Sequence, residues 1–173
     1  MEHQGLKRKT DLHVTRKIWH CLGILVMAAA YHMAGHQGAW LILLAAIALV
    51  VPLDLLRQTK PGLNRGLVKV FGPVMRTHEM NQVSGWTYLL LGALFLILFN
   101  DRHIILVTLL FQAFGDPLAS YFGIRYGKDK LIGNKSLQGT MAAFVACTII
   151  AAIYFYANNL MLERFLIVAP LAG

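Results

Sequence analysis

The stretch GDPLASYFGIRYGKDKLIGNKSLQGT, residues 115–140, decides how this chain is read. It opens with an acid, Asp116, near the middle of an otherwise apolar run. It then crosses a short loop rich in Gly, Lys, Asn and Ser, and re-enters apolar sequence at Leu137. A carboxylate inside a membrane segment is costly and by default functional. Lys135 follows it by only 19 positions. Acid, basic loop and lysine together point to chemistry at a membrane surface on a group that carries phosphate.

The rest of the chain supports a membrane setting. Hydrophobic residues make up 57% of the 173 positions and charged residues only 14%, against about 45–50% and about 25% in soluble domains. Six apolar segments stand out, at 18–33, 39–56, 84–99, 103–122, 137–156 and 160–172. The expected fold is all-α: a polytopic transmembrane helix bundle of about six membrane segments plus a cytosolic amphipathic helix. One integral membrane catalytic domain over 1–173 is expected. Its cytosolic parts would be a basic tail (1–17), a connection (57–83) and a basic loop (125–136). The first apolar run lacks a small-residue cleavage site and reads as a retained span.

Orientation follows from the cations. Lys7, Arg8, Lys9, Arg16 and Lys17 precede the first segment. Arg57, Lys60, Arg65, Lys69 and Arg76 lie between the second and third, and Arg125, Lys128, Lys130 and Lys135 between the fourth and fifth. The opposite-side loops hold only Arg102 and Arg164. This bias places the N-terminus and both long polar connections in the cytosol. It also accounts for the net charge of +8 by topology, so no nucleic-acid partner is expected. Cys21 and Cys147 fall in apolar runs without metal or redox spacing, and no HExxH or GxSxG pattern occurs.

In the 57–83 connection, Leu63, Leu67, Val68, Val70, Phe71, Val74 and Met75 recur at helical spacing after Pro61-Gly62. The pattern predicts an amphipathic helix on the inner leaflet, kinked or ended at Gly72-Pro73. Asp54, Glu79, Asp116 and Asp129 lie on or near the cytosolic side among these cations. Carboxylates beside Lys and Arg are the groups a magnesium–nucleotide complex needs. Each acid has a plainer reading. Asp116 can pair with a buried cation, Asp54 can be an interfacial acid, and Asp129 looks like a loop charge. Gly115 and Pro117 are expected to interrupt the helix around Asp116. Gly123, Gly127 and Gly133 would let backbone approach phosphate. Arg16 and His20 share a helix face.

These residues resemble the CTP-dependent lipid-alcohol kinases: dolichol kinase, phytol kinase and the CTP-dependent diacylglycerol kinase. RKIWH at 16–20 is similar to the family's RK-x-x-H element, and the stretch from DLLR (54–57) to MRTHE (75–79) resembles its central connection with an R-x-x-E pairing. GDPLASYFGIRYGK (115–128) and KSLQGT (135–140) resemble D-x-x-A-S-x-x-G followed by K-S-x-x-G. The resemblance implies transfer of the CTP γ-phosphate to a lipid or isoprenoid alcohol at the cytosolic membrane face. Asp116, Lys135, Glu79 and Arg76 would be catalytic. Arg16, Lys17, Ser120, Gly123, Lys128, Lys135, Ser136 and Gly139 would bind nucleotide, and Asp116, Glu79 and Asp54 would hold Mg²⁺. The family pattern continues past the position of Gly173 into a further apolar segment with acidic and Asp-Asn positions, so either a short variant or a longer parent chain is expected. Two other readings stay open: CDP-lipid synthesis of the phosphatidate cytidylyltransferase kind, and a non-enzymatic small transporter or scaffold.

Overall fold

A computed structural model describes residues 14–75, 79, 82–133 and 135–160. In chain order the elements are α1 (Val14–Thr59), α2 (Pro61–Phe71), a 3-10 turn (Gly72–Val74), α3 (Gly85–Ile97), α4 (Arg102–Tyr126), β1 (Lys130–Ile132), β2 (Lys135–Ser136) and α5 (Leu137–Ala157). Of the described residues, 14–19 and 30–105 form one compact unit, and 20–29 and 106–160 form a second.

Among the described residues, α1, α4 and α5 are long and apolar enough to cross a membrane. A straight helix of 46 residues would be about 69 Å long, more than twice the bilayer core. Gly35 resolves this with φ 68 and ψ −177, a left-handed conformation that glycine adopts without steric cost. It divides α1 into 14–34 and 36–59, about 31 and 36 Å long, each matching a bilayer. The first two expected segments are therefore two helices that meet at a single residue. The third is shorter than expected. α3 has 13 residues, about 20 Å, and falls short of the membrane core. The expected sixth segment lies, beyond Leu160, outside the described residues.

The first unit buries Tyr31, Ala39, Leu43, Leu90, Ile97 and Ile105. Beyond the C-cap of α3 at Leu98, Asn100 turns the chain in the left-handed region with φ 51. Asp101 Oδ1 then accepts from the amides of His103 (2.8 Å) and Ile104 (3.0 Å) to start α4. As predicted, a helix occupies the 57–83 connection and gives way to the 3-10 turn at Gly72-Pro73.

The second unit is organised by the antiparallel pair α4 and α5. A Cβ at Gly123 would lie 3.6 Å from Gly139 Cα, a Cβ at Gly115 would lie 2.9 Å from Cys147 Sγ, and Phe111 packs against Ala151 and Phe155. These contacts share one register. They run along Phe111, Gly115, Ala119 and Gly123 on α4, each four residues apart, and along Gly139, Cys147 and Ala151 on α5. Lipid tails are as apolar as leucine, so membrane helices pair by close packing of small residues rather than by a hydrophobic drive. Contrary to expectation, α4 runs unbroken through Gly115-Asp116-Pro117. Pro117 does remove an amide, leaving the carbonyl of Ala113 without its usual partner.

The basic loop 125–136 contains a small antiparallel ladder pairing Lys130 with Ser136 and Ile132 with Lys135. Gly133, at φ 58, supplies its left-handed turn residue.

Candidate active site

In the first unit, Asp54 sits near the end of α1 with only 5% of its surface exposed, and Arg57, one turn on, with 3%. Arg57 Nε donates to Asp54 Oδ1 at 2.5 Å. The other carboxylate oxygen, Oδ2, accepts from the Ser84 amide and from Thr87 Oγ1, both at 2.7 Å. Arg57 also donates to the Gln82 carbonyl (2.7 Å) and to Asn64 Oδ1 (3.3 Å). Both oxygens of Asp54, expected among the metal ligands, are thus spent on joining α1 to the start of α3. A buried pair whose remaining valences are satisfied in this way is the arrangement that persists in a low dielectric.

Glu79 is committed in the same manner. Arg16 forks onto it, Nη1 to Oε2 at 2.9 Å and Nη2 to Oε1 at 2.6 Å, while Nη1 also donates to the Val74 carbonyl at 3.0 Å. Bidentate geometry makes this a strong, directional contact. Gly85 leaves room for it, since a Cβ there would lie 2.9 Å from Arg16 Nη2. Trp19 meets Trp86 edge to face at 6.2 Å. The Lys17 ammonium is buried, and Arg76 lies outside the described residues.

The second unit gathers the remaining expected residues on α4, the ladder and the start of α5. Ser136 caps α5. Its Oγ accepts from the Gly139 amide (3.2 Å) and makes a long contact to the Gly123 carbonyl (3.5 Å). A Cβ at Gly139 would come within 2.7 Å of the Ala119 carbonyl oxygen and 3.1 Å of Gly123 Cα. The close approach that these glycines permit is therefore between α4 and α5. Gly139→Ala is expected to destabilise the protein by about 1–3 kcal/mol, because backbone rather than a side-chain end must yield. Thermal unfolding in detergent measures it. Gly92→Ala, where a Cβ would meet nothing within 4 Å, serves as a neutral or mildly stabilising control.

Gln138, which the sequence reading passed over, fastens the basic loop. Its Oε1 accepts from the Lys128 amide (3.2 Å) and its Nε2 donates to Asp129 Oδ2 (2.9 Å). The Leu137 amide donates to the Asp129 carbonyl at 2.8 Å. Asp129 is thereby a loop fastener, and Lys128, Lys130 and Lys135 are held exposed around it.

Asp116 is different from the other two acids. Its side chain is 67% exposed, and His20 Nε2 stands 3.9 Å from Oδ2. That nitrogen is buried and makes no hydrogen bond. Ser120 follows Asp116 by one turn on the same face of α4. Among the described residues, no three His, Cys, Asp or Glu side chains converge as a metal cage. Mg²⁺ is commonly held by one or two carboxylates plus substrate phosphates; of the three expected ligands Asp116 is exposed, while Asp54 and Glu79 are each paired with an arginine.

The CTP-dependent diacylglycerol kinase 1 of Eremothecium gossypii is 31% identical to this chain over 149 residues, covering 84% of it and 47% of the relative. Its Saccharomyces cerevisiae counterpart is 26% identical over 149 residues, 84% of this chain and 51% of the relative. The chain is homologous to the CTP-dependent lipid kinases. Dolichol kinase of Saccharomyces cerevisiae is also similar, 28% identical over 181 residues that cover 96% of this chain and 33% of that protein. The chain spans about half the length of the diacylglycerol kinases it matches. No family profile and no solved structure matches it. Within this lipid-kinase homologue, the two motifs around Asp116 and Lys135 fold together in the second unit, while the Arg16–Glu79 and Asp54–Arg57 pairs lie in the first.

Proposed function

We propose that this chain carries the phosphate-transferring part of a CTP-dependent kinase acting on a membrane lipid alcohol. One observation carries the reading. The D-x-x-A-S-x-x-G and K-S-x-x-G segments form a single packed unit, joined by Ser136 between Gly123 and Gly139, with an exposed carboxylate on one element and exposed lysines on the next. The lysines 128, 130 and 135 would neutralise the triphosphate, and Lys135 would stay on the transferring phosphoryl group. The acceptor hydroxyl oxygen bonds to the γ-phosphorus as the bond to the β-phosphate oxygen breaks, so CDP leaves and the hydroxyl proton is lost. Positioning and charge stabilisation supply most of such catalysis. Mg²⁺, held by Asp116 with the nucleotide phosphates, would supply further neutralisation of the charge that develops on the phosphate oxygens. His20 would restrain the Asp116 carboxylate. The excess of Lys and Arg in 1–17, 57–83 and 125–136 supports a cytosolic site. The relatives are diacylglycerol kinases by name, which makes diacylglycerol the first acceptor to offer.

The test is a membrane assay with γ-labelled CTP or ATP, Mg²⁺ and a panel of lipid alcohols. Label passing from CTP to a lipid phosphate is expected. Labelled CDP-lipid from α-labelled CTP and phosphatidic acid, with no γ-label transferred, would replace this reading by a cytidylyltransferase.

A further inference from the structure

α2 buries none of its side chains. Around its axis Leu63, Leu67, Val70 and Phe71 fall on one side, and Arg65 and Lys69 fall nearly opposite. Val70 and Phe71 are exposed. Eleven residues with glycines at 62 and 66 make a marginal helix in water. A Cβ at either glycine would meet nothing within 4 Å, and Leu63 and Leu67 are only half-buried, so packing against this chain supplies only part of the missing stability. An apolar boundary would supply the rest.

Two observations identify that boundary. Only Lys60 separates α2 from the membrane-length helix α1, and its extended backbone (φ −115, ψ 99) turns α2 off the axis of α1. Arg57 at the end of α1 holds Asn64 of α2 at 3.3 Å, so α2 begins where a spanning helix leaves the bilayer. Charge then selects the lipid. Between Asp54 and Glu79 the sequence has five basic residues and no acid. We propose that α2 lies in the plane of the membrane on an anionic lipid surface, with Leu63, Leu67, Val70 and Phe71 in the acyl boundary and Arg65 and Lys69 among the headgroup phosphates. This rests on α1 crossing the bilayer and not on the kinase reading.

The full chain, with Cys21→Ser and Cys147→Ala, is spin-labelled at single cysteines along 62–71 and placed in phosphatidylcholine bilayers with or without phosphatidylglycerol. Oxygen accessibility is expected to oscillate with a period of about 3.6 residues, highest at 63, 67 and 70 and lowest at 65 and 69. Phosphatidylglycerol should deepen the immersed positions. Arg65→Gln combined with Lys69→Gln should weaken that response markedly, each basic residue shifting the seated population about fivefold. Uniform exposure to a water-soluble relaxant overturns the proposal, as does immersion indifferent to phosphatidylglycerol. Protection that fades when the protein is diluted in lipid would assign the face to a second copy and overturn it equally.

Discussion

Asp54→Ala is expected to remove about 3–5 kcal/mol of stability, enough to deplete the folded protein from membranes. The loss exceeds one salt bridge because the substitution strands a cation. Arg57 is 3% exposed and would keep its carbonyl and amide partners while losing its counter-charge. The Ser84 amide and Thr87 hydroxyl would lose their acceptor as well, each a buried donor left unsatisfied. The decisive measurement is a double-mutant series on thermal unfolding in detergent. Arg57→Leu added to Asp54→Ala should recover part of the loss, because it removes the stranded cation while the Ser84 amide and Thr87 hydroxyl stay without their acceptor. Equal destabilisation by the single and double variants would refute the brace and return Asp54 to the list of possible metal ligands.

Asp116→Asn is expected to act on chemistry instead. Lipid phosphorylation should fall about a hundred- to a thousandfold, with unfolding temperature and membrane abundance close to those of the parent. Asp116 is mostly exposed and its neighbour His20 is 3.9 Å away, so the amide costs the fold little. It does remove the negative charge required to hold a cation or accept a proton. Inactivity accompanied by loss of folded protein, matched by His20→Gln, would mean that the acid serves to pair with the histidine. Full activity in the asparagine variant would exclude Asp116 from the reaction.

These contrasts mark what the amino-acid order discloses. The apolar runs, the helix after Pro61-Gly62 and its end at Gly72-Pro73 were legible because hydrophobic period and proline chemistry are local. The break in α1 was only partly so. The segment Ala34-Gly35-His36-Gln37-Gly38 resembles a short loop, yet one glycine at positive φ suffices and helix resumes at once. The Gly133 turn belongs to a hairpin that Gly-Asn signals in principle, although the basic residues around it drew attention to charge. The partners of Asp54 lie about thirty positions away, at Ser84 and Thr87, and no spacing rule finds them. The glycines of the two motifs were assigned to phosphate because glycine-rich loops near lysines often serve it. In the fold the missing Cβ at Gly123 and Gly139 also lets α4 and α5 touch, a contact that no spacing in the sequence announces.

The seam between α4 and α5 has a mechanical consequence. Helices packed backbone to backbone where Ala119 and Gly123 meet Gly139, with Gly115 against the Cys147 sulfur, cannot slide past one another without colliding. A bilayer that thickens or thins can tilt this pair, but Asp116 and the hairpin bearing Lys135 would tilt together. The spacing between Asp116 and the hairpin should therefore change little in membranes of different thickness.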